Sequence, residues 1–127
     1  MKRFAIYLSV VLTGCATNYP LSESNPKQLT VNVSSSVEKT YRQMLQFSTE
    51  NCTWLAADAQ YYPESKEGDI ILVRRLNDGG IKFTFAKFEI KASATGSTAL
   101  ITYRGNMEKF GGASEAWAKG IAAPCPY

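Results

Sequence analysis

Between Thr53 and Arg104 the chain is cut at short intervals into β-prone stretches, Thr53–Tyr62, Asp69–Leu76, Ile81–Ala92 and Ser97–Arg104. The cuts are Pro63 to Gly68, Asn77-Asp78-Gly79-Gly80 and Ser93-Ala94-Thr95-Gly96, clusters rich in residues that tolerate positive φ or pre-set a turn. Connections this short join only antiparallel neighbours, because a parallel crossover needs a dozen or more residues. The segment is therefore expected to fold as an antiparallel meander.

Upstream, Leu29-Thr30-Val31-Asn32-Val33 alternates and predicts a further strand. Ser35 and Glu38 have the spacing of a capping box, and Val37, Tyr41, Met44, Leu45 and Ser48 share one face of a helix expected from about Ser36 to Glu50. Asn51 is its expected stop. Downstream, Met107, Phe110, Ala113, Trp117 and Ile121 predict a C-terminal helix, weakened by Gly111-Gly112. Within the third β stretch Ile81, Phe83 and Phe85 share a face and are expected to carry the core. Phe88 and Ile90 have the opposite parity, so a bulge near Ala86-Lys87 would be needed to return them to it. The fold class is thus α+β, an antiparallel meander packed against an N-terminal-side helix and a short C-terminal one. The opening VNVSSSVEKTYRQML resembles the first strand and helix of helix-grip and related domains, in which a curved sheet wraps a long helix.

The first residues carry a different message. Met1-Lys2-Arg3 is a basic start, followed by the apolar run Phe4 to Leu12 and then Thr13-Gly14-Cys15, the layout of a secretory signal. A membrane span needs about 20 apolar residues, and this run is shorter. Leu12-Thr13-Gly14-Cys15 resembles the bacterial lipobox. That resemblance implies that Cys15 receives diacylglycerol, that residues 1–14 are removed as signal peptide, and that the new terminal amine is acylated. Ala16 in place of an aspartate implies sorting to the outer membrane in a Gram-negative cell, facing the periplasm. Acyl chains at about 0.8 kcal/mol per buried methylene make such an anchor effectively permanent. An ordinary signal peptide with a coincidental cysteine is the alternative. Residues 15–28, polar and carrying Pro20 and Pro26, read as a flexible tether, and 29–127 as one small domain.

Loss of Lys2 and Arg3 would lower the formal charge from +3 to +1. A nucleic-acid partner is not expected, since only Arg74-Arg75 forms a basic pair and a phosphate-binding face needs many more cations. Lipidation would use one of three cysteines and leave Cys52 and Cys125, an even remainder that predicts a disulfide in an oxidising compartment, with two buried free thiols as the alternative. The chain has no histidine, which removes Ser-His and Cys-His nucleophiles and leaves no tetrahedral zinc shell. Asp58, Glu64, Glu67, Asp69, Asp78 and Glu89 read as solvated carboxylates rather than an acid-base pair. Neither catalysis, nor a cofactor, nor a metal is expected.

Tyr61 and Tyr62, beside Pro63 at a strand end, are the expected interaction surface, since exposed aromatics are enriched at interfaces; ordinary strand aromatics facing both ways are the alternative. The expected function is an outer-membrane lipoprotein working as a non-enzymatic interaction module, partnered by the membrane through its lipid and by an envelope protein or cell-wall component. The second reading is a small carrier or sensor gripping an apolar ligand between sheet and helix. Replacing Cys15 by Ser is expected to abolish labelling by palmitate and leave unprocessed or mislocalised protein. Label retained in that variant would overturn the anchor.

Overall fold

The computed structural model describes residues 18–21, 25–75 and 82–127. Cys15, the signal segment, the Asn77–Gly80 turn and Ile81 lie outside the described residues. The elements, in chain order, are β1 (Asn18–Tyr19), β2 (Lys27–Val33), α1 (Val37–Asn51), β3 (Ala56–Tyr62), β4 (Glu67–Arg75), β5 (Lys82–Ser93), β6 (Gly96–Tyr103) and α2 (Glu108–Ala118). The main strands run in the order β2-β6-β5-β4-β3, each antiparallel to its neighbour, and β1 adds parallel to the start of β5. The expected α+β meander with two helices is what forms. Two residues of the segment read as a tether, Asn18 and Tyr19, pair instead with Lys82 and Phe83, and β2 begins at Lys27.

Helix α1 starts one residue later than the capping box implied. Ser36 is extended, and its hydroxyl accepts from the Lys39 amide at 3.2 Å, so Ser36 and not Ser35 is the cap. The Ser35 carbonyl instead accepts from Ser97 Oγ at 2.9 Å, and Ser97 Oγ shares a buried 2.8 Å hydrogen bond with Thr40 Oγ1. These bonds satisfy polar groups that would otherwise be desolvated without partners, and they fasten the first turn of α1 to β6. Val37, Thr40, Met44 and Ser48 then form the buried stripe of the helix, with Tyr41 and Leu45 partly buried beside it.

Both helices cover one face of the sheet. The core there holds Ile70 and Leu72 of β4, Ala86, Phe88 and Ile90 of β5, Ala99 and Ile101 of β6, and Phe110 and Trp117 of α2. Trp117 sits edge-on to Phe110 and Phe88, with ring centroids 5.7 and 6.5 Å away, the geometry favoured by the aromatic quadrupole. Gly111 admits this packing: a Cβ there would lie 2.7 Å from Cζ of the Tyr103 ring, so the glycine expected to weaken α2 is what lets it approach β6.

The core row of β5 differs from expectation. Ala86, Phe88 and Ile90 are fully buried, whereas Phe83 and Phe85 are only half-buried. The register accounts for Phe85: Leu72 pairs with Ala86 but Val73 with Thr84, so Phe85 is an extra residue on β5, while Phe83 lies near the start of the strand. A bulge does exist, nearer the start of the strand than expected. It resets the parity so that Phe83, opposite Arg74, falls in line with Ala86 opposite Leu72. Phe85 packs edge-on against Trp54 at 5.0 Å instead of entering the centre.

Ile121 is also not a core residue. Gly120 takes φ +83°, and the amides of Gly120 and Ile121 bond the carbonyls of Trp117 and Ala116, a Schellman closure that ends α2 at Ala118 and leaves Ile121 57% exposed. The tail then turns back to α1. Cys52 and Cys125 are bonded, with Cα atoms 5.1 Å apart, and the intervening carbonyl of Ala123 accepts from both Asn51 Nδ2 and Trp117 Nε1 at 2.8 Å. A bridge spanning 73 residues contributes about 4 kcal/mol in the loop-closure model.

Replacing Phe88 by Ala is expected to cost about 3–5 kcal/mol in urea melts, while Phe83→Ala costs no more than about 2 kcal/mol. Equal losses at the two positions would show that Phe83, near the start of the strand, is set as deeply as Phe88.

Candidate interaction edge

The face of the sheet away from the helices is polar. Lys87 pairs with Glu89 at 3.6 Å, Lys91 with Glu67 at 3.9 Å, and Thr98 Oγ1 donates to Asn32 Oδ1 at 2.9 Å. These are exposed or half-exposed contacts of the kind that contribute at most about 1 kcal/mol each. The carboxylates therefore divide: Glu67 and Glu89 face lysines, and Asp58 and Asp69 stand with Gln60, Tyr62 and Ile71 along a shallow open hollow on the outer side of β3 and β4. Among the described residues there is no group of three or more His, Cys, Asp or Glu that could hold a metal ion. No helix among them is long and apolar enough to cross a membrane.

The two sheet edges are unlike. At β2 the edge is closed at one end by an ion pair between Lys27 and Glu108 of α2, and α2 packs against the strand. This contact holds the Lys27 ammonium above and the Glu108 carboxyl below their ordinary values, chiefly through the hydrogen bond between them. At β3, Ala56, Asp58, Ala59, Gln60 and Tyr62 are all exposed, and the strand pairs residue for residue with β4 from Ala56↔Val73 to Tyr62↔Glu67 without a shift. Natural edges are usually blunted by proline, by lysine, by a bulge or by a covering element. Strand β3 has no proline, no lysine and no bulge, and so presents a straight edge about 23 Å long to solvent.

The expected tyrosine pair is split by strand alternation. Tyr62 points outward and is 43% exposed, beside the hollow formed with Pro63, Glu64 and Ser65. Tyr61 points toward the helices, packs on the core and lies 5.4 Å from the ring of Tyr41. Burial pushes the Tyr41 phenol above its ordinary range. Beneath Tyr41 is Gly68, the β4 partner of Tyr61, where a Cβ would come within 2.6 Å of Tyr41 Cδ1. The outer edge from Ala56 to Gln60, with which no further strand among the described residues pairs, is a part of the site that the aromatics did not signal. Its sequence mark is the small-residue run Ala56-Ala57-Asp58-Ala59-Gln60, whose side chains bury too little area to belong to a central strand.

Comparison with family models, with curated proteins and with solved structures finds no match to this chain.

Replacing Gly68 by Ala is expected to lower stability by roughly 1–3 kcal/mol in thermal or urea melts, because the Tyr41 ring is held close to its own backbone and must be displaced. A neutral effect would mean that Tyr41 can leave Gly68 freely.

Proposed function

We propose that this chain is a lipoprotein, anchored through Cys15 to the periplasmic side of the outer membrane, that works as a non-enzymatic interaction module by adding an extended segment of an envelope protein to the β3 edge. The observation that carries the reading is the bare, unshifted edge of β3, since an exposed row of backbone donors and acceptors recognises another strand through its main chain. Tyr62 at the end of the edge supplies the side-chain contact that such pairing needs for selectivity. The Cys52–Cys125 bond supports an oxidising compartment. The order of the first residues, basic, apolar, then Leu12-Thr13-Gly14-Cys15, supports the anchor.

The carrier reading finds less support. A ligand held between sheet and helices would occupy the space taken by Trp117, Phe88, Phe110 and Met44, each at most 1% exposed. Interiors at protein density leave no room for a second apolar body without expelling side chains.

A photo-crosslinking residue placed at Gln60 or Tyr62 in living cells is expected to give a discrete adduct of defined mass, lost when Asp58 and Gln60 neighbours are charged by Ala59→Lys. The same probe at Thr30, on the opposite edge strand, should give none. Adducts of equal yield from both edges, or from neither, would remove β3 as the binding edge.

A further inference from the structure

The pairing of β1 fixes which end of the sheet meets the membrane. Only Ala16 and Thr17 separate Cys15 from Asn18, so the anchor lies within about 10 Å of the point where Asn18 pairs with Lys82. A free tether running to Lys27 would reach roughly four times as far. The difference decides the electrostatics, because the screening length at physiological salt is about 8 Å. Charges at this end stand within reach of a headgroup layer, and charges at the other end do not.

That end is basic. Arg74 is exposed and stands opposite Phe83, Arg75 stands opposite Lys82, and Arg104 lies over the rings of Phe83 and Phe85 at 5.6 and 5.9 Å. The Arg104 Nε donates to the Thr84 carbonyl at 2.9 Å, which fixes the guanidinium at the strand start. Trp54, partly buried and packed on Phe85, belongs to the same end. The acids at this end are Asp78, in the sequence of the β4–β5 connection, and Glu108, which is held in its ion pair with Lys27. Glu67, in the last pair of β3 with β4, and Glu64, in the turn beyond it, belong to the opposite end. Arg74, Arg75 and Lys82 thus gather where the chain enters from Cys15, whereas Lys87 and Lys91 stand further along β5, beside Glu89 and Glu67.

We infer that the β1 end of the sheet docks on the phosphate headgroups of the bilayer that holds the anchor, through Arg74, Lys82 and Arg104, and so fixes the domain upright. The partner is an anionic phospholipid surface. Lipid anchors alone leave a domain free to swivel; a basic end held within a screening length gains from each cation. The turn Pro63–Lys66 and the exposed Tyr62 then point away from the membrane, and β3 runs along the membrane normal. This inference rests on the anchor at Cys15 proposed above.

The test uses the mature chain purified from membranes and placed in vesicles of phosphatidylcholine with or without phosphatidylglycerol, each doped with headgroup spin-labelled lipid. The quencher reads Trp54, since Trp117, the other tryptophan, is fully buried. Quenching is expected with phosphatidylglycerol, with the docked-to-free ratio falling about five-fold for each of Arg74→Glu and Lys82→Glu, and lost for the unaltered protein at high salt. Quenching that is equal in both lipids, or indifferent to salt and to these variants, would overturn docking. Intact mass of the same sample separates the two readings. A bare Cys15 removes the anchor and docking with it, whereas a lipidated Cys15 without lipid-dependent quenching removes docking alone.

Discussion

The arrangement of both helices depends on one backbone carbonyl. Ala123 accepts from Asn51 at the end of α1 and from the indole of Trp117 in α2, and the Cys52–Cys125 bond closes two residues further on. Trp117 is the largest buried side chain, and its N–H would otherwise be desolvated without a partner. The tail 119–127 has no regular structure, yet it fixes the position of the residue around which Phe88 and Phe110 pack. Removing the tail would therefore unseat the centre of the core rather than trim its surface.

From that anchoring follows the division of the sheet into two faces and two edges. With both helices on one side, the other side is left to solvent and is populated by Lys87, Glu89, Lys91 and Thr98. Each edge strand meets one helix, β2 packing against α2 and β3 against α1, and among the described residues no further strand pairs with β3. Helix α1 packs across β3, β4, β5 and β6, and α2 across β6 and β2.

Much of this architecture is written in local chemistry. The turn clusters placed β3 to β6 within a few residues of their ends, the 3.6-residue period marked α1, and the parity of cysteines left Cys52 and Cys125 to pair. What was not legible depends on distant partners. The position of the bulge at Phe85 is set by the fit of β4 against β5, so no reading of β5 alone brings Phe83 into line with Ala86 and Phe88. Ser35 and Ser36 are equally good caps by composition, and the choice is made by Ser97, which claims the Ser35 carbonyl. Of the edge, Tyr62 marks one end and the small-residue run from Ala56 to Gln60 marks the rest. Tyr61 was misassigned because adjacent strand residues face opposite ways, and the small residues from Ala56 to Gln60 carry no positive signal for binding.

The order in which the core is supplied has a consequence for biogenesis. A chain that emerges N-terminus first presents α1 and the meander long before Phe110, Trp117 and Cys125 arrive. Until then β6 lacks its helical cover, and Cys52 has no thiol to meet for another 73 residues. The helix-facing side of β6 thus waits for residues 108–118 before α2 can cover it, and the clasp between α1 and the tail closes only once Cys125 is present.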